Sequence, residues 1–304
     1  CILGLGYVGL PLALEFAKRN IKVIGYDPNK GRIKNLKNGV KYITDIEPEE
    51  SSLRIKQGRF IPTDQETDLS NADIFIICVP TPLRHTKVPD MTYIVSASRT
   101  IKNYIKKGSM VILESTTYPG TSREVILPEL EKTGLKLDKD FFLVFSPERV
   151  DPGNVKFPIY KIPKVVGGIT EKSKILGVEL YSKIMKKVVP VSSIETAETV
   201  KLLENTFRLV NIGLINEFAI LCDKLGIDVW EVIEGSKTKP FGFMPFYPGP
   251  GLGGHCIPCD PVYLSWKAKK VGFKTKMIDL AAKTNRSMPK YVVEKTQQII
   301  KKKV

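Results

Sequence analysis

No run of this 304-residue sequence approaches the roughly 20 uncharged apolar residues that a membrane-spanning helix needs, so no membrane partner is expected. The opening Cys1-Ile-Leu-Gly-Leu-Gly already reads as strand and turn, without the basic start, long apolar stretch or cleavage site of a secretory signal. Cysteine is scarce. The five residues Cys1, Cys78, Cys222, Cys256 and Cys259 are odd in number and scattered over a large chain. That argues against a disulfide framework and for reduced thiols, and the expectation is a soluble cytoplasmic protein. Histidine is scarcer still, and His255, Cys256 and Cys259 have no second ligand pair nearby to complete a zinc site. No metal is expected. Low-complexity tracts and internal repeats are missing as well.

What is present is ample apolar sequence, 42 % of the chain, for a sizeable core in about two ordinary domains. The net charge is +15. The lysines are spread along helical stretches, as in Lys18, Lys22, Lys30, Lys34 and Lys37, and no aromatic-studded basic arm accompanies them. A solvated basic surface is the reading, with no nucleic-acid partner. Its field would draw in small polyanions such as nucleotides.

Up to about residue 191 the pattern alternates. Apolar runs at 1–4, 22–27, 74–79, 110–114, 141–146, 164–167 and 187–191 read as strands, with helical stretches at 10–19, 93–105, 122–132 and 171–185 between them. This predicts an α/β domain, a doubly wound parallel sheet covered on both faces, over 1–191. Residues 192–225 then read as one long, largely apolar and therefore buried helix, opened by a Ser192/Glu195 capping box. Further helices are expected at 228–234, 261–270 and 277–303, giving an all-helical domain over 192–304. Between them, 239–260 is too rich in glycine, proline and aromatic residues for helix or strand, and too apolar for a linker. It is expected to be a long, ordered, functional loop.

Gly4-x-Gly6-x-x-Gly9 follows a short apolar strand and opens a helix, and Asp27 closes the next strand. The first glycine makes the turn, the second lets the backbone approach a pyrophosphate, and the third lets helix and strand pack closely. The helix N-terminus offers N–H groups to phosphate, and the acid accepts from ribose hydroxyls. The first domain is thus Rossmann-like. An acid rather than an arginine at position 27 favours NAD over its 2′-phosphorylated form. Two further strand ends, 79–82 and 115–117, should line the same cleft, because ligands bind beyond the carboxyl ends of such strands.

After another strand, Glu148 is placed to act as a general base, or to pair with Arg149. Lys201 and Asn205, four residues apart, share a helix face and can present a cation and an amide to developing negative charge. Cys256 follows Gly253-Gly254 and precedes Asp260 by four residues. A thiol nucleophile needs a nearby cation, such as Lys201 or His255. Cys256-x-x-Cys259 also suggests zinc or a redox pair. Zinc lacks ligands, and a redox pair belongs at a helix start, whereas this one is expected to end a loop. Cys78 and Cys222 read as core.

These residues resemble the nucleotide-sugar 6-dehydrogenases, the UDP-glucose/GDP-mannose dehydrogenase family. The resemblance rests on Gly4-Leu-Gly-Tyr-Val-Gly-Leu-Pro11, Val79-Pro-Thr-Pro82, Glu114-Ser-Thr-Thr-Tyr-Pro-Gly120, Ser146-Pro-Glu148, Lys201-x-x-x-Asn205 and Gly253-Gly-His-Cys256 with Asp260. Ser146-Pro-Glu-Arg-x-Asp-Pro-Gly-Asn154 and Lys239-Pro-Phe-Gly-Phe243 look most like the branch acting on UDP-N-acetylhexosamines, especially UDP-N-acetylglucosamine, for bacterial surface polysaccharides. The resemblance implies a four-electron oxidation with two NAD⁺, in which Cys256 captures the aldehyde and carries a thioester. Water activated through Glu148 and Thr116 would release the uronic acid, Lys201 and Asn205 would stabilise oxyanions, and Asp260 would position water or the lysine. It further implies that Gly4, Gly6, Tyr7, Val8, Gly9, Asp27, Pro80, Thr81, Ser115 and Thr116 bind NAD. The sugar nucleotide would meet Glu148, Arg149, Lys201, Asn205, Tyr247, Gly251 and Gly253. A homodimer through the 192–225 helix follows from the same resemblance. Many relatives carry lysine where this chain has Cys259. The family's third, UDP-binding domain should begin just after Val304, so the chain is expected to be a piece of a protein of roughly 420–440 residues that binds NAD⁺ but turns over poorly by itself. Two alternatives stand beside this reading: a two-electron 3-hydroxyacid dehydrogenase with a Lys-x-x-x-Asn helix and no need of a cysteine, and an NAD-binding fragment without catalysis.

Overall fold

A computed structural model describes all residues except Asp45, His85, Lys87, 151–156, His255 and Val304. Strands and helices alternate through its first two thirds: β1 (Ile2–Leu3), α1 (Gly9–Lys18), β2 (Val23–Tyr26), α2 (Lys30–Lys37), α3 (Pro48–Lys56), β3 (Phe60–Thr63), β4 (Ile74–Ile77), α4 (Thr92–Lys102), β5 (Ser109–Leu113), α5 (Leu127–Glu131), β6 (Phe141–Phe145), β7 (Lys164–Gly168), α6 (Glu171–Ser182) and β8 (Val188–Pro190). Helices α7 (Ile194–Leu225), α8 (Val229–Lys237), α9 (Cys256–Lys270) and α10 (Lys276–Lys303) follow. The strands form one sheet in the order β3-β2-β1-β4-β5-β6-β7-β8.

Side chains alternate across each strand, and this period of two builds two cores. Ile2, Ile76, Ile112 and Val144 face α1 and α6, packing with Leu12, Phe16, Leu180 and Tyr181. Leu3, Ile77, Leu113 and Phe145 face the other way, onto Ile94 and Ile101 of α4, Leu130 of α5, and Ile194 and Ala197 of α7. Each buried side chain of this size contributes about 1.5–3 kcal/mol.

Among the strands and helix ends, the structure departs from the sequence reading in four places. Strand β3 was not expected, because its four residues include Pro62. It lies at the sheet edge, where a missing N–H is tolerated. Strand β7 runs antiparallel to β6, whereas the remaining pairs are parallel, so the sheet is mixed. The residue pattern of a buried strand does not encode its direction, and here the reversal carries Lys164 to the edge where β5 and β6 end. Helix α7 is capped by Ser193, whose Oγ accepts from Thr196 N at 3.0 Å, rather than by a Ser192/Glu195 box. Helix α9 starts at Cys256, five residues before the expected position, so the last part of segment 239–260 is helix. Pro258 is accommodated because it sits in the first turn.

By contact the chain divides into Cys1–Lys201 and Leu202–Val304. The sequence reading placed the boundary at 191/192. The division falls later, inside α7, because Ile194 and Ala197 belong to the core of the first unit. Within the second unit α7 and α10 pack closely: a Cβ at Gly213 would stand 3.0 Å from Ala281 Cβ. Asn216 Nδ2 donates to Asn285 Oδ1 at 2.8 Å, and Asn285 Nδ2 donates to Leu209 O at 3.0 Å. The expected burial of α7 fails along one face. Leu203, Phe207, Leu214, Phe218, Leu221 and Leu225 are 44–65 % exposed. Among the described residues, no helix is long and apolar enough to cross a membrane.

Candidate active site

The carboxyl edge of the sheet in the first unit gathers the glycine turn and the ends of β4, β5 and β6. Gly4 has φ +94°, and a Cβ there would stand 2.6 Å from Cys78 O. A Cβ at Gly9 would stand 1.8 Å from Gly4 O, which only glycine permits. A Cβ at Gly6, by contrast, meets nothing within 4 Å. The turn is therefore packed at Gly4 and Gly9 and open at Gly6, and no side chain caps α1. This combination of open space at Gly6 and a helix start that no side chain caps fits a pyrophosphate. Tyr7 is exposed and Val8 half-buried beside it.

Asp27 is buried at the end of β2. Its Oδ2 accepts from Leu5 N at 2.9 Å and from Arg32 Nη1 at 2.5 Å, and Oδ1 accepts from Asn29 N at 3.0 Å. Asp27 is thus held by the turn and paired with an arginine that the sequence reading did not single out. Ser115 Oγ donates to Val79 O at 2.7 Å, which ties the 79–82 turn to 115–117. Pro80 is exposed, Thr81 buried and Thr116 half-buried.

Glu148 is buried, 7 % exposed, beyond β6. Its Oε1 accepts from Arg149 N at 2.7 Å and from Val150 N at 2.5 Å. The ion pair that the sequence suggested with Arg149 is not the one found. Arg149 Nη1 donates to Pro163 O at 2.7 Å, and among the described residues the cation paired with Glu148 is Lys164, with Nζ 3.5 Å from Oε2. Burial pushes the Glu148 carboxyl up. The Lys164 ammonium, the Val150 N–H, Glu114 and the Lys201 ammonium outweigh burial and hold it below the usual carboxylate range. Lys201 is half-buried. It is brought to this edge by the first turns of α7, where Glu198 accepts from Gly120 N at 2.5 Å and from Ser122 N at 2.9 Å. Arg123 Nε adds a 2.8 Å bond to Glu195 Oε1.

The remaining candidates lie in the second unit. Cys256 is exposed and is the first residue of α9, where N–H groups and the helix field favour an anion. Cys256-x-x-Cys259 therefore does sit at a helix start, contrary to the sequence reading. Burial, Asp260 and Cys256 push the Cys259 thiol up. Asn205 and Asp260 are both buried, and Asn205 Nδ2 donates to Asp260 Oδ2 at 2.5 Å, so Asp260 holds the amide. Tyr247 donates to Glu234 Oε1 at 2.8 Å and stacks on Trp230. Gly251 has φ +126°, and a Cβ at Gly253 meets nothing within 4 Å. His255, Asp151 and Asn154 of the sequence motifs lie outside the described residues. Among those described, no group of three His, Cys, Asp or Glu side chains is arranged to hold a metal. Within the first unit, a cavity of about 280 Å³ opens at the opposite, amino edge of the sheet, around Cys1, Val23 and Ile74.

The sequence pattern of the UDP-glucose/GDP-mannose dehydrogenase family, NAD binding domain, matches residues 1–185, and that of the family's central domain matches 195–287. The chain belongs to this family. It is an NAD-dependent nucleotide-sugar dehydrogenase, and the hydroxyacid alternative is set aside. The UDP-N-acetyl-D-glucosamine 6-dehydrogenase of Pseudomonas aeruginosa is 42 % identical over 295 residues, spanning 96 % of this chain and 68 % of that protein. The solved structure of the UDP-D-ManNAc dehydrogenase of Pyrococcus horikoshii superposes with a TM-score of 0.93 at 37 % identity, over 99 % of this chain and 72 % of that one. That of the UDP-N-acetyl-mannosamine dehydrogenase of Staphylococcus aureus gives 0.86 at 34 %, over 99 % and 70 %. Four buried residues of the dehydrogenase escaped the sequence reading as contributors to this edge: Glu114, Lys164, Tyr181 and Glu198. No spacing signal could have found them, since the hydrogen bonds that hold them join residues 50 or more apart.

Proposed function

We propose that this chain oxidises the 6-hydroxymethyl group of a UDP-N-acetylhexosamine, UDP-N-acetylglucosamine in the first instance, to the uronic acid through a covalent intermediate on Cys256. The observation that carries the covalent reading is the exposed Cys256 thiol at the start of α9, two residues after the Gly253-Gly254 pair. Gly4, Gly6, Tyr7, Val8, Gly9, Asp27, Pro80, Thr81, Ser115 and Thr116 would hold NAD⁺, which would supply the hydride acceptor, one molecule for each of the two oxidations. The Cys256 thiolate attacks the aldehyde carbon, and the thiohemiacetal becomes a thioester as its hydride is lost. Lys201 and Asn205 stabilise the oxyanions, with Asp260 orienting the amide. Glu148, assisted by Thr116, takes the proton of the water that attacks the thioester, and the thiolate leaves. Arg149, Tyr247, Gly251 and Gly253 complete the sugar-nucleotide contacts.

Two partners belong to this proposal: the UDP-sugar, and a second copy of the chain docked along α7. The exposed residues 203, 207, 214, 218, 221 and 225 recur at steps of three, four and seven, the spacing of a helix-pairing seam. A cytoplasmic location fits the reduced thiols. The Pyrococcus structure, named for UDP-D-ManNAc, supports a second reading of the sugar.

The test is the enzyme at the full length of its relatives, of which this chain spans 68 %, with NAD⁺ and a panel of UDP-hexoses and UDP-N-acetylhexosamines, products identified by mass. UDP-N-acetylglucosamine should give the acid with two NADH per sugar, and Cys256→Ser should abolish acid formation. Turnover of UDP-N-acetylmannosamine alone would replace the first sugar with the second. Unimpaired acid formation by Cys256→Ser would refute the covalent route.

A further inference from the structure

Behind Glu148 lies a cluster of charged side chains that the proposed chemistry does not use. Lys164 is 4 % exposed, Glu114 and Tyr181 are fully buried, and Cys78 is 8 % exposed. Lys164 Nζ donates to Glu114 Oε2 at 2.7 Å and stands 3.5 Å from Glu148 Oε2. Tyr181 O–H donates to Glu114 Oε1. The ammonium also lies 5.3 Å from the centre of the Tyr181 ring. Both oxygens of Glu114 are thereby occupied. Glu148 differs: two backbone N–H groups fix its Oε1, while its buried Oε2 accepts no hydrogen bond.

An ammonium buried this deeply persists only if anions face it, and two do. Burial works against the charged Lys164, and Glu114 and Glu148 overcome it, holding the lysine above its ordinary value. Burial pushes the Glu114 carboxyl up to about 7, with Glu148 adding to the effect and Lys164 opposing it. Burial and the two carboxylates push the Cys78 thiol well up, and burial and Glu114 do the same to Tyr181. The groups facing Glu148 are therefore two cations, Lys164 and Lys201, and the Glu114 carboxyl, with Cys78 and Tyr181 neutral.

We infer that Lys164, shared between Glu114 and Glu148 and backed by Tyr181, is a positioning residue that keeps Glu148 an anion with Oε2 open to take a proton. This rests on the reading of Glu148 as the base that activates water. Glu114 anchors the ammonium with its 2.7 Å hydrogen bond and, like the ammonium, lowers Glu148. Removing the cation must then raise Glu148.

The experiment follows acid release after the NADH burst, in the enzyme at the full length of its relatives, with UDP-N-acetylglucosamine and NAD⁺, from about pH 5 to about pH 10. Lys164→Met should move the acid limb to higher pH by about one unit or more, so that release is at least about tenfold slower on that limb and recovers as the pH rises. Lys164→Arg should keep the limb in place. A purely structural role would lower the rate by one factor at every pH, and a limb unmoved in Lys164→Met would overturn the inference. If Lys164→Met does not fold, Lys164→Gln decides alone, and an unmoved limb there overturns it. Glu148→Gln separates the two levels. Wild-type acid release by that variant refutes the base itself, whereas a stalled Glu148→Gln with an unmoved limb in Lys164→Met refutes only the positioning role.

Discussion

At the residue scale, the glycine turn divides into positions that serve the fold and a position that serves the ligand. A methyl group at Gly9 has no room beside Gly4 O, so Gly9→Ala should cost about 3 kcal/mol or more in a denaturant titration. At Gly6 the same methyl meets nothing within 4 Å. Gly6→Ala should change stability by less than about 0.5 kcal/mol yet weaken NAD⁺ binding by calorimetry at least about tenfold, a loss of about 1.4 kcal/mol. Equal effects on stability from both substitutions would contradict this division. The motif and Asp27 were legible because each residue answers a local demand of turn, helix or ribose. The pairing of Asp27 with Arg32, and of Glu148 with Lys164 instead of Arg149, was not. Both are choices among several nearby cations that only the folded geometry makes.

At the scale of elements, the strands with continuous apolar runs could be read, whereas β3, with a proline in four residues, and the direction of β7 could not. The start of α9 was hidden by the glycines and proline around it. Helix α7 was visible as a helix, but its first turns do more than cover the sheet. Glu198, fully buried, grips the N–H groups of Gly120 and Ser122 and so anchors the loop that carries Thr116. Burial outweighs those hydrogen bonds and pushes its carboxyl up from 4.5 to about 7. The carboxyl binds its proton more tightly folded than unfolded. Its contribution is fully present below about pH 4.5 and is lost as the pH rises through about 7. The stability difference between the wild type and Glu198→Gln should therefore narrow by up to about 3 kcal/mol between about pH 5 and about pH 8. Urea titrations across that range give the answer, and a constant difference would show that Glu198 does not titrate there.

At the scale of the whole molecule, the seam along α7 and the two sets of candidate residues lead to separate expectations. Phe218 and Leu221 are 44 % and 46 % exposed within one chain, so glutamates there should leave the fold intact. Phe218→Glu combined with Leu221→Glu should halve the mass seen by sedimentation, and an undiminished assembly would place the interface elsewhere. The chemistry has a sharper test. A thioester is stable to neutral water until a base takes the attacking proton, and losing positioned general-base help costs about 10²–10⁴-fold, or roughly 3–5 kcal/mol of barrier. Thioester formation needs the Cys256 thiolate more than it needs Glu148. The most direct measurement is therefore the NADH burst and intact mass of Glu148→Gln, in the enzyme at the full length of its relatives, mixed with UDP-N-acetylglucosamine and NAD⁺. The account predicts a burst near two NADH per active site, slow release, and a protein heavier by the oxidised UDP-sugar on Cys256. A variant that gives neither burst nor adduct would contradict it.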